Sequence, residues 1–196
     1  MSKPDITRIL EFQKFLLTFR GVKRTLYIPG TDEAENDVDH SYFLALLAWF
    51  IAPQIDTELD TNKIIKYALI HDLVETYAGD TFAFDVAAQA DKKEREHQSL
   101  IKIKENFSDF PGMIEAIEAY EQRQDRESKF VYALDKMTPA FLSSLDGGRC
   151  WIENEITFEA AGAYDAPKVA ISGDVMPYYE ALQEYLSSHP EFYHPS

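Results

Sequence analysis

"YALIHDLVETYAGD", residues 67–80, sets charged residues into a run whose apolar spacing is helical. Apolar positions recur at three- and four-residue intervals from Ile64 through Ala68 and Leu69, Thr61 can cap the start, and Gly79 supplies a stop. Residues four apart share a helix face, so His71 continues the line of Ile64 and Ala68, and Glu75 extends it by a turn. Asp72 likewise continues Ile65 and Leu69. The expected buried side of this third helix, Ile64, Ile65, Ala68 and Leu69, thus runs into ionisable groups. Burying a lone carboxylate costs several kcal/mol unless it is paired or holds a cation. The neighbouring partner is histidine, and a neutral imidazole beside a carboxylate is a ready ligand pair for a divalent metal.

The same anomaly recurs on two other expected helices. His40 lies one turn before the apolar stripe Phe43, Leu44, Leu47 and Ile51 of a second helix, which Asp37 or Asp39 can cap and which ends near Pro53. Asp135 lies four residues after Val131 on the inner face of a long helix from about Arg126 to Leu145. Pro139 cannot donate to the Asp135 carbonyl, so a kink is expected there. His40, His71, Asp72 and Asp135 together offer two imidazoles and two carboxylates from three helices, enough for an octahedral site with positions left for water and substrate. Taken singly, such a histidine is ordinarily a hydrogen-bonded core residue and such an aspartate a bend device. Their coincidence on three inward faces makes a metal site as good a reading as those bland ones.

The rest of the chain supplies a scaffold. A first helix is expected over about Asp5–Phe19, and the following "RGVKRTLYIPGTDEAENDVD", broken by Pro29 and Gly30, reads as an irregular loop. A fourth helix spans about Val86–Asn106, its "DKKERE" read as a solvated face. A shorter helix runs from Pro111 through Tyr120, and a last one covers about Pro177–Ser188. Between the long helix and the last, "RCWIENEITFEAAGAYDAPKVAISGD" reads as mostly loop with some helical pieces. With no series of alternating strands, repeat or linker, the expected fold is an all-α, single-domain helical bundle over residues 1–196.

Composition narrows the partners. A net charge of -15 repels polyanions, which argues against a nucleic-acid polymer or an anionic membrane surface. The longest apolar run, in "YFLALLAWFIA", is about half the roughly 18–20 residues of a membrane span. The lone Cys150 cannot form an internal disulfide, and "MSKPDITRIL" has no secretory pattern, so the cytoplasm is the expected compartment.

Three segments carry a family resemblance: "VDHSYFLALLA", "ALIHDLVETYAGD" and "ESKFVYALDKM". Their order H...HD...D, with His71 31 positions after His40 and Asp135 63 after Asp72, resembles the HD-domain metal-dependent phosphohydrolase superfamily. Within it, the chain is similar to the small all-helical 5'-deoxynucleotidases of the YfbR and HDDC2 type. The resemblance implies that His40, His71, Asp72 and Asp135 hold one divalent ion, with Mn, Co, Fe, Zn, Ni and Mg left open. It implies that Glu75 orients or deprotonates the attacking water and that Asp80 serves the phosphate and leaving group. Arg24, with Arg20 and Lys23 as alternatives, corresponds to the phosphate-contacting basic stretch, although Leu26 or Tyr27 stands where an aromatic follows in the family. "GTDEAENDVDH" is also longer and more acidic than the family's approach to its first histidine. The implied substrates are deoxynucleoside 5'-monophosphates, and a homodimer is the implied assembly. The alternatives are a deoxynucleoside triphosphate triphosphohydrolase and a nucleotide-binding regulatory module without turnover.

Overall fold

A computed structural model of the chain describes residues 3–56 and 58–195. Helix α1, Ile6–Arg20, starts where the Asp5 side chain accepts from the Arg8 N–H. The segment expected to be an irregular loop folds instead into an antiparallel hairpin, β1 (Lys23–Tyr27) and β2 (Ala34–Asn36). Strand alternation leaves Lys23 exposed and turns Arg24 inward. Helix α2, Asp37–Ile55, follows at once, capped by Asn36 rather than Asp37 or Asp39 and extending past Pro53. Its inner line is His40, Leu44, Ala48 and Ile51, widened by Ala45 and Ala52, while Phe43 lies outside, exposed.

Those alanines bring α2 against α3, Thr61–Ile70, which Asp60 caps in place of Thr61. Tyr67 holds a core position, and Leu69, expected inside, is exposed. Helix α3 stops eight residues earlier than the apolar spacing predicts. His71–Val74 form a tight turn whose bonds span three residues, Leu73 N–H to Ile70 at 3.1 Å and Glu75 N–H to Asp72 at 2.8 Å. The short α4, Glu75–Ala78, then ends at Gly79. The expected fourth helix is two, α5 (Val86–Gln89) and α6 (Lys92–Asn106), followed by α7, Pro111–Gln122.

Helix α8, Arg126–Leu145, stays helical through Pro139; the Asp135 carbonyl that proline cannot reach accepts instead from the Thr138 hydroxyl at 2.7 Å. The stretch read as mostly loop holds α9 (Arg149–Glu153) and α10 (Phe158–Val169), the latter capped by Thr157. Helix α11, Met176–Ser187, and a 3-10 turn, Pro190–Phe192, close the chain. Among the described residues, the regular structure is helical apart from one hairpin.

Leu44, Ile64, Phe130, Val131 and Leu134 are fully buried where α2, α3 and α8 meet, each contributing about 1.5–3 kcal/mol of transfer free energy. A second cluster joins Phe15 and Phe19 of α1 to Leu73 and Val74 of the turn and to Ile103 and Phe107. The His71–Val74 turn is therefore gripped by apolar packing while its polar side chains face the junction of α2 and α8. Among the described residues, no helix is long and apolar enough to cross a membrane.

Candidate metal centre

The N-terminal part of α2, the turn after α3 and the middle of α8 converge on four donor atoms. His40 Nε2 lies 2.9 Å from Asp135 Oδ1 and 3.8 Å from Asp72 Oδ2. His71 Nε2 lies 2.9 Å from Asp72 Oδ2 and 3.5 Å from Asp135 Oδ1. Two donors bound to one ion at about 2.1 Å and at right angles stand about 3 Å apart, so these separations suit a shared ion. His71 Nδ1 is 2.9 Å from the Ala68 carbonyl; donating there leaves Nε2 as the ligating nitrogen. That buried Nε2 has no hydrogen-bond partner among the described residues. An orphaned imidazole lone pair inside a nest of carboxylates fits a divalent cation.

Negative charge exceeds positive charge at this junction, and the titration of its groups reflects that. Burial works to lower the His71 pKa, yet Asp72 and Asp135 outweigh it and hold it up at about 10, so that without a cation Nε2 carries a proton, which a bound metal ion would displace to use the lone pair. Burial would raise Asp72, but His71 and Arg24 hold it far below the usual carboxylate range. For Asp135, Lys136 with the two histidines likewise overcomes burial and lowers it well below its ordinary value. Burial and then Asp72 push Glu75 well up, with Lys92 opposing.

Glu75 is buried just beyond the four donors, and its Oε1 lies 3.1 Å from Lys92 Nζ. Asp80 follows Gly79 and faces Arg24 at 3.8 Å. Gly79 adopts φ 77° and ψ 152°, a conformation essentially restricted to glycine, and this turns the chain toward the cavity. Arg24 lies 2.9 Å from Asp72, 3.2 Å from Asp37 and 3.3 Å from Glu35. The other two basic candidates stand apart: Lys23 is an exposed strand residue beside Glu33, and Arg20 ends α1 in solvent. Arg24, His71, Asp72, Glu75, Asp80 and Asp135 line one cavity of about 600 Å³, with His40, Glu35 and Asp37 behind them.

Several residues at this junction escape the sequence reading. Asp37, expected as a cap, is fully buried, and burial and Asp72 push it up to about 7 against Arg24. Glu35 is fully buried between Arg24 Nε and His40 Nδ1, at 3.3 and 3.6 Å, and both its oxygens lack hydrogen-bond partners among the described residues. Lys92, read as part of a solvated face, reaches Glu75, and Arg95 donates to the Ala78 carbonyl and to Thr81. Lys136 reaches the outer oxygen of Asp135 at 2.6 Å.

A family model described as an HD domain matches residues 18–174. A curated yeast protein, "5'-deoxynucleotidase YGK1" of Saccharomyces cerevisiae, is 28% identical over 143 residues, covering 69% of this chain and 65% of its own. The Homo sapiens protein "5'-deoxynucleotidase HDDC2" is 28% identical over 131 residues, covering 65% of this chain and 63% of its own. The chain thus spans slightly under two thirds of those relatives. A crystal structure from Magnetospirillum magnetotacticum MS-1, described as a "predicted metal-dependent phosphohydrolase", superimposes with a TM-score of 0.79 at 24% identity, covering 95% of this chain and 96% of that one. Together, the family match and the His/Asp cluster suggest a divalent metal.

Proposed function

Because the chain belongs to the HD-domain family, we propose that it is a metal-dependent phosphohydrolase that converts deoxynucleoside 5'-monophosphates to deoxynucleosides and phosphate. The activity printed in the names of its relatives supports the reaction and substrate. The observation that carries the reading is the cluster of two imidazoles and two carboxylates, whose imidazole–carboxylate pairs lie 2.9–3.8 Å apart, beside a buried Glu75 at a cavity that Arg24 and Asp80 also line. One divalent ion is proposed, held by His40, His71, Asp72 and Asp135; the mixed donor set accepts Mn, Co, Fe, Zn, Ni or Mg. Bound there, such an ion would acidify a water and neutralise phosphate oxygens.

The chain's own groups supply the rest. Glu75, buried beside the donors and held in one orientation by Lys92, would orient the attacking water or take its proton. Arg24 presents its guanidinium to the cavity and would clamp the phosphate. Asp80, across from Arg24, would steady the leaving ribose oxygen as a proton donor or through a water. Glu35 and Asp37 keep Arg24 extended toward the metal ligands.

A homodimer belongs to the same proposal, supported by an exposed apolar face on α2 formed by Tyr42, Phe43, Leu46, Trp49 and Phe50. The cytoplasm is the compartment proposed with it. Phosphate and triphosphate release from deoxynucleoside mono- and triphosphates, with added manganese or cobalt and an EDTA control, tests the reaction. Phosphate from the monophosphates, abolished by EDTA, is the expected result. Triphosphate release would move the chain to the triphosphohydrolase reading, and binding without either product would make it a regulatory module.

A further inference from the structure

The cavity is larger than a phosphate and its metal require, and its far wall is chemically distinct from the metal end. Phe82, Phe84 and Tyr164 line it, with ring centroids 5.7 Å apart for the first pair and 5.0 Å for the second. Beside these flat apolar walls, α10 contributes Asp165 and Lys168 to the same cavity, one turn apart on the helix. Both are only partly exposed. Among the described residues, neither side chain makes a hydrogen bond or an ion pair, with the other or with any neighbour, and the Lys168 ammonium lies over the Tyr164 ring. A carboxyl and an ammonium that are partly desolvated, adjacent and unpaired are costly to the fold alone. Burial pushes Asp165 up to about 7, and burial together with the charge of Lys136 pulls Lys168 down to about 8.

Resting on the phosphomonoesterase reading above, we propose that Phe84, Tyr164, Asp165 and Lys168 form the nucleobase subsite, and that the base they select is guanine. A cavity wall of packed aromatic rings that also carries a carboxyl and an ammonium fits a flat heterocycle with a hydrogen-bonding rim. The rim must offer donors to a carboxylate and an acceptor to an ammonium. Guanine presents N1–H and N2–H side by side for Asp165 and O6 next to them for Lys168. Thymine offers one donor between two acceptors, and adenine and cytosine lack the paired donors. A site built to bond those groups rejects bases that leave them unpaired.

The test is calorimetric binding of the four deoxynucleosides to the metal-loaded protein, which needs no turnover, with phosphate release from the four monophosphates measured alongside. Deoxyguanosine is expected to bind about tenfold or more tightly than each of the others. Asp165→Asn and Lys168→Met should each erase most of that preference while circular dichroism stays unchanged. Equal binding of the four nucleosides, no binding of any, or a guanine preference untouched in both variants would overturn the subsite. Phosphate release without base preference would remove this inference and leave the phosphomonoesterase reading standing. Guanine-selective binding without phosphate release would do the reverse.

Discussion

Glu75 and Asp72 are three residues apart and are proposed for different tasks, which makes them separable by substitution. Asp72 contributes a donor 2.9 Å from His71 Nε2, whereas Glu75 is tied to Lys92 beyond the donor set. Glu75→Gln is therefore expected to bind metal as the wild type does and to lose about 10²–10⁴-fold in kcat, the usual contribution of a positioned base. Metal content and phosphate release on one preparation check this; unchanged turnover would remove Glu75 from the chemistry. The four residues proposed as donors, which the structure brings together, stand out in the sequence because each interrupts an expected apolar helix face, where a charge has to be explained. Glu35 and Asp37 were not, because an acid-rich stretch of "GTDEAENDVDH" carries no mark separating a buried carboxylate from a solvated one. Lys92 and Lys136 were hidden for a similar reason: a lysine on the polar face of a helix has one sequence pattern, whether that face meets water or a cavity.

At the scale of elements, the decisive feature is the break after α3. A continuous helix would carry His71, Asp72 and Glu75 around its axis at 100° per residue, whereas the tight turn groups His71 and Asp72 on the side facing α2 and α8. Gly79 then re-aims the chain with a backbone conformation that a Cβ disfavours, although open space surrounds the position. Gly79→Ala should destabilise the protein by about 1–3 kcal/mol through strain alone and displace Asp80. The expected readout is a lowered Tm together with reduced phosphate release; an unchanged Tm would mean that the turn tolerates a side chain there. The apolar spacing announced helices correctly but not this break, since turn and helix share the same residue types. The hairpin was obscured because its strands are only five and three residues long, too short for alternation to register against Pro29 and Gly30. In α10, Gly162 and Pro167 weakened the helical pattern that packing against α8 and α11 sustains.

Over the whole molecule, charge and apolar surface are distributed unevenly. The chain carries -15, yet Lys92, Lys136 and Lys168 line one cavity, so the proposed phosphate site gathers local positive charge against an opposing global field. On the outside, Trp49 is 55% and Phe50 71% exposed on a face too apolar to be an ordinary surface. The wild type should sediment at twice the 22.5 kDa chain mass, and Trp49→Glu combined with Phe50→Glu should yield monomers. A monomeric wild type would leave that face without the second copy proposed for it. The helical class and the inward faces of three helices were readable from periodicity; which outer face is apolar enough to pair was not, because Phe43 was placed inside. The proposed chemistry depends on one ion held by His40, His71, Asp72 and Asp135. Titrating manganese or cobalt into the metal-free wild type and into Asp72→Ala by calorimetry tests it most directly. One binding site in the wild type, lost in Asp72→Ala with the fold intact, is the predicted result; equal binding by both proteins would contradict it.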